Sequence, residues 1–178
     1  DSIRLVNDET GERILMKKID EDGLFVAEVA TSWANLPYHY EAQTLDNQTE
    51  IFGDTYIFDP LLSEYDIYLF GEGRHYEIYE KLGAHIRTVG NVTGINFAVW
   101  APNAYKIAVV GDFNRWDNRV HIMQRTTDTG IWEIFIPDLK PGATYKYEIR
   151  SHNQGYRAEK SDPYGNFAEV RPNSASIV

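Results

Sequence analysis

A tetrad of residues recurs at a fixed distance. Tyr38-His39-Tyr40-Glu41 starts fifteen residues after Gly23, and Tyr145-Lys146-Tyr147-Glu148 starts fifteen residues after Gly130. Gly23-Leu24-Phe25 and Gly130-Ile131-Trp132 align at the same offset of 107 without a gap. Upstream, Ile3-Arg4-Leu5-Val6 resembles Ile107-Ala108-Val109-Val110 if three residues are inserted in the later copy; downstream, Asp59-Pro60 resembles Asp162-Pro163. Two copies of one small unit explain these matches together, although two unrelated β segments ending in Tyr-x-Tyr would share part of them. Charge changes across the same divide. Residues 1–84 carry 6 Lys/Arg and 18 Asp/Glu, whereas residues 85–178 carry 11 and 9. A length of 178 residues accommodates two small domains.

The unit reads as β throughout. Ile95 to Trp100 and Lys106 to Val110 are short apolar runs, and Ile131 to Ile136 and Thr144 to Arg150 alternate. Turn signals separate them at Gly90-Asn91, Pro102-Asn103, Thr129-Gly130, Pro141-Gly142 and the 153–155 stretch. Strands at this spacing predict sandwiches, since a pleated sheet has two faces and each apolar face needs a cover. In the first copy strands are expected at 3–6, 13–18, 24–29, 38–44 and 51–57. That copy starts at Ile3, with nothing to match the Gly94–Trp100 strand of the second, so its sandwich is expected to lack leading strands at the N-terminus. The fold expected is all-β: two tandem immunoglobulin-like (early-set) β-sandwiches, residues 1–60 and 85–178, the first truncated. A packed connector, 61–84, joins them. It holds a short helix capped by Ser63 and stopped near Gly71-Glu72-Gly73, then a strand-like piece from Tyr76 to Leu82.

Little chemistry is on offer. The chain has no cysteine, which removes disulfides, thiolate metal sites and thiol nucleophiles. Phosphate-binding glycine motifs are absent, and the five histidines are scattered without metal-ligand spacing. Catalytic residues, metals and cofactors are therefore none. The net charge of −10 argues against nucleic acid, and no apolar run is long enough for a membrane helix. Asn47-Gln48-Thr49 and Asn91-Val92-Thr93 fit a glycosylation pattern but are read as incidental. The cytoplasm is the default location. The chain begins at Asp1 rather than Met, as expected for a piece of a longer protein.

Aromatic side chains carry the functional signal. Trp100 and Trp132 lie in apolar strands and are expected in the core. Trp116 lies in the polar loop Gly111-Asp112-Phe113-Asn114-Arg115-Trp116-Asp117. There it either stands open to stack on a sugar ring or folds back to plug the sandwich edge. Lys146 and Asn173 are candidate hydroxyl partners.

These segments resemble a known family. Gly111 to Trp116, Trp132-Glu133-Ile134-Phe135, Tyr145-Lys146-Tyr147 and Ser161-Asp162-Pro163-Tyr164 are similar to the glycogen- and starch-binding module of family 48. Leu82-Gly83-Ala84-His85 and Gly94 to Asn103 resemble the bacterial 1,4-α-glucan (glycogen) branching enzymes. The resemblance implies a glucan site of Trp116, Lys146 and Asn173, with Tyr156 as a looser match to a second stacking ring. It also implies α-glucan and the catalytic barrel of the same parent chain as partners. Catalysis in that family belongs to a (β/α)₈ barrel with an aspartate nucleophile, a glutamate acid/base and a second aspartate. Such a barrel needs about 250 residues, and none of its carboxylates can be assigned to this chain. A non-catalytic, glucan-positioning region is expected. The alternative is a purely structural module of a branching, debranching or trehalose-releasing relative.

Overall fold

The computed structural model describes every residue except 1, 34, 35, 45, 47, 127 and 154; Asn47 of the first glycosylation pattern thus lies outside the described residues. The chain divides into two compact units, 1–54 and 55–178.

In the first unit, β1 (Ser2–Asn7), β2 (Arg13–Leu15), β5 (Tyr38–Gln43) and β6 (Thr49–Gly53) form one antiparallel sheet in the order β2-β1-β5-β6. A separate ribbon pairs β3 (Lys17–Lys18) with β4 (Phe25–Val26). The last strand ends earlier than the expected 51–57, because Thr55–Ile57 winds into a 3-10 turn.

The second unit opens with helix α1 (Glu64–Gly71). Ser63 caps it: its Oγ accepts from the Asp66 amide at 3.1 Å, and Asp66 Oδ2 accepts from the Ser63 amide at 3.0 Å. Asp66 also takes His75 and Lys81. Burial raises its pKa, but the bonds from Ser63, His75 and Lys81 outweigh that and hold the carboxylate well below its ordinary range. The strand expected from Tyr76 to Leu82 is instead a 3-10 turn, Ile78–Glu80, because the Lys81 and Leu82 amides turn back to Ile78 O and leave no ladder to join.

Two sheets follow. One has the order β10 (Gln124–Arg125), β11 (Ile131–Pro137), β8 (Val92–Trp100), β7 (Gly83–Val89). The other runs β13 (Arg157–Lys160), β12 (Thr144–Ser151), β15 (Ser176–Ile177), β14 (Phe167–Ala168), with β9 (Ala104–Gly111) on the far side of β12. Alternation sends Ile95, Phe97 and Val99 inward from β8 to meet Ile107, Val109, Tyr145 and Tyr147. Trp132 takes its expected core place with 6% of its surface exposed. Trp100 does not: it is 52% exposed. The outer face of the run Ile95–Trp100 is covered as well: Ala98 packs there on Leu62, Leu82 and Ile131, beside Asn96, which donates to Glu133. Trp100 shares that outer register, at the strand end. Leu62 and Leu82 are also why residues 55–84 cluster with the second unit.

The repeat is visible in the pairing. β1 meets β5 as β9 meets β12: Leu5 faces Tyr40 and Val6 faces His39, while Val109 faces Tyr147 and Val110 faces Lys146. In each unit two tyrosine hydroxyls donate to one carboxylate oxygen. Tyr145 and Tyr147 reach Asp162 Oδ2 at 2.7 and 2.9 Å; Tyr38 and Tyr40 reach Asp54 Oδ2 at 2.9 and 3.0 Å. The counterpart of Asp162 is therefore Asp54 and not Asp59, whose following proline misled the alignment. Among the described residues, the first unit has no counterpart of β7 and β8.

Candidate functional site

The loop after β9 is built to separate its two rings. Asp112–Asn114 forms a 3-10 turn, and Arg115 and Trp116 then take left-handed backbone, with φ of 55° and 59°. Two consecutive non-glycine residues in that region carry strain, which persists only where the surroundings impose it. Asn114 imposes it here. Its Oδ1 accepts from the Gly111 amide at 3.0 Å, and its Nδ2 donates to Val109 O at 2.8 Å and to His121 Nδ1 at 2.9 Å. The Trp116 amide closes the turn on Gly111 O at 2.9 Å.

The plug is Phe113. It stacks on Phe97 with centroids 6.3 Å apart and lies 5.6 Å from the His121 ring. Gly111 makes room for it, since a Cβ there would sit 2.6 Å from the Phe113 ring and 2.2 Å from Thr144 O. Trp116 is left 37% exposed. Its Nε1 donates to Asp112 Oδ1 at 2.9 Å, and Asp112 Oδ2 accepts from Thr144 Oγ1. The bond from Thr144, then that from Trp116, lowers the Asp112 pKa. Burial pushes His121 down to about 4, so its ring is neutral and Nδ1 is an acceptor at neutral pH.

Lys146 lies two residues beyond Thr144 on β12, on the same face and half-buried, opposite Val110. Asn173 sits in the turn between β14 and β15, donating from Nδ2 to Glu169 Oε1 at 3.2 Å. β15 joins β12 at Thr144 and Tyr145, and the antiparallel register carries the chain from Ser176 back to Asn173 in the direction of Lys146, away from the Thr144 end. Tyr156 lies farther still. It follows the turn after Ser151, at the opposite end of β12, roughly 20 Å from Thr144 at about 3.3 Å per residue. The site thus brings together Trp116, Asp112, Thr144 and Lys146. The sequence reading did not single out Asp112 and Thr144 as site residues. Asp112 stands four residues before the tryptophan in the loop motif, but Thr144 carries no local signal. Among the described residues no cluster of three or more His, Asp or Glu could hold a metal ion, and no helix is long and apolar enough to cross a membrane.

Residues 81–165 match the family described as Carbohydrate-binding module 48 (Isoamylase N-terminal domain). The chain is 49% identical over 164 residues to 1,4-alpha-glucan branching enzyme GlgB of Methylococcus capsulatus, covering 92% of this chain and 22% of that protein. It is 55% identical over 141 residues to the GlgB of Synechococcus elongatus, covering 78% and 18%. It therefore spans about a fifth of the length of these curated relatives. A likeness to the crystal structure of apo pullulanase from Klebsiella pneumoniae is loose, with a TM-score of 0.45 at 16% identity over 99% of this chain and 21% of that one. Residues 81–165 belong to the carbohydrate-binding module 48 family, and the chain that carries them is the counterpart of the N-terminal region of bacterial 1,4-α-glucan branching enzymes.

Proposed function

We propose that the second unit holds an α-1,4-glucan chain on the Trp116 indole, as the non-catalytic N-terminal region of a glycogen branching enzyme. The observation that carries this is the division of labour in one loop: Phe113 fills the sandwich edge while Trp116, fixed through Asp112, stands partly open beside Thr144 and Lys146. A pyranose offers C–H groups to a flat ring and hydroxyls to the lysine and to Asn173 Oδ1. The parent enzyme would cut α-1,4-linked glucan and rejoin the segment through an α-1,6 bond in the cytoplasm. This region would position the chain and brace the barrel.

One ring and a few hydrogen bonds support only weak binding, roughly millimolar to high micromolar, once ordering costs are subtracted. Titration with maltoheptaose tests the reading. A saturable change in tryptophan fluorescence is expected in the wild type, and its loss in Trp116→Ala. A flat titration, or the same change in both proteins, defeats it.

A further inference from the structure

A cleft of about 740 Å³ opens at the end of the second unit where β8 and β12 finish and β9 starts, away from the Trp116 loop. Its volume lies within the range of about 300–1,000 Å³ typical of small-molecule sites. Val99, Tyr147 and Ile149 give it an apolar floor, and Trp100 and Tyr156 also line it. Both rings are open, at 52% and 47% exposure. Trp100 is nonetheless held from two sides. Its Nε1 donates to Thr129 O at 2.9 Å, and Phe70 meets its ring at 69° with centroids 5.9 Å apart. Lys160 Nζ lies 5.5 Å from the centroid of the Tyr156 ring. Asn103 and Asn153 also line the cleft, and their side-chain amides make no hydrogen bond to the described residues.

This combination selects a ligand. A purely apolar molecule would strand two amides, and a simple anion would leave two rings unused. A hexose satisfies both, because its C–H face covers a ring while its hydroxyls, each donor and acceptor, match amide groups that are likewise both. A ring fixed beforehand loses little freedom on binding, which favours weak ligands of this kind.

We propose that this cleft is a second carbohydrate site, taking one or two hexose units of an α-glucan between Trp100 and Tyr156. It is independent of Trp116, which lies at the other end of β9 and β12, roughly 20 Å away by strand rise. Tyr156 thus serves this cleft and not the Trp116 site.

The test labels the chain with 5-fluorotryptophan and follows its four indoles by fluorine NMR during titration with maltoheptaose, the signals being assigned by single Trp→Phe variants. The Trp100 signal is expected to move saturably in the wild type and equally in Trp116→Ala. In Tyr156→Ala its response should weaken about tenfold, the loss of one stacking ring, with the Trp116 response unchanged. The Trp132 signal reports folding, and Asn103→Ala replaces Tyr156→Ala if that variant disturbs it. A Trp100 signal that stays still, that moves only when Trp116 is present, or that responds as in wild type in the cleft variant overturns the proposal. A moving Trp100 with a silent Trp116 supports it and defeats only the reading of the Trp116 loop.

Discussion

At the scale of single residues, the loop turns on a histidine that binds nothing. His121 accepts from Asn114, and Asn114 holds the turn that presents Trp116. Burial puts the folded pKa near 4, below the unfolded value of about 6.5. The unfolded chain takes up the proton first, so the stability owed to the neutral ring is complete above about pH 6.5 and is lost as pH falls to about 4. The total is on the order of 3 kcal/mol. Protonation also turns Nδ1 from acceptor to donor and sets it against the Asn114 amide. We expect the urea midpoint of the second unit to fall between pH 6.5 and 4, with Trp116 emission changing alongside, and the slope to flatten in His121→Gln. An identical slope in that variant would remove His121 from the account. The loop motif told which stretch mattered but not which ring turned inward. Phe113 and Trp116 are both aromatic and three residues apart. The left-handed pair at 115 and 116 that separates them is imposed by Asn114 through bonds to Gly111, Val109 and His121, and nothing in the motif itself says which partners that amide takes.

At the scale of elements, capping was legible and burial was not. Ser63 and Asp66 spell a helix start that needs no tertiary knowledge. By contrast, β8 offers apolar side chains to both faces, and nothing in its own residues says that Trp100 lies past the cover on the outer one. The cover itself is fastened by Glu133, which is 3% exposed on the outer face of β11. It accepts from the Leu61 and Leu62 amides at 2.7 and 3.3 Å and from Asn96 Nδ2 at 2.8 Å. Burial raises its pKa against these bonds. Removing it strands three donors, so Glu133→Ala should cost about 3 kcal/mol or more. Ser63→Ala removes only a cap and should cost about 1 kcal/mol. Equilibrium denaturation of the two variants checks the order, and hydrogen exchange at Leu61 and Leu62 should accelerate in the first alone. Equal costs would mean that the helix, and not the carboxylate, fastens this segment.

At the scale of the whole chain, the repeat was readable because tyrosine hydroxyls withdrawn from water need a hydrogen-bond partner, and the two tetrads kept that demand at constant spacing. Which aspartate met it was not readable, since Asp54 and Asp59 offer the same acceptor oxygens and only the fold brings one of them to Tyr38 and Tyr40. The copies are unequal in a way that governs stability. Among the described residues, 23 apolar side chains are buried, and only Leu5, Val6 and Trp33 belong to the first unit. That unit has one full sheet and a two-stranded ribbon, and Leu15, Leu24 and Ile51 are 57–67% exposed. A unit of that size with so little burial and no disulfide is marginal, because the apolar area withdrawn from water scarcely offsets chain entropy. The second unit has its own two-sheet core. We expect residues 55–178 alone to keep the folded Trp132 signal and the maltoheptaose response. In the whole chain, native-state hydrogen exchange should show β1, β2, β5 and β6 opening at far lower cost than β8, β9, β11 and β12. Uniform protection across both sets, or loss of fold in the 55–178 fragment, would show that the two units form one cooperative body, whose sugar-binding behaviour could not then be assigned to the second alone.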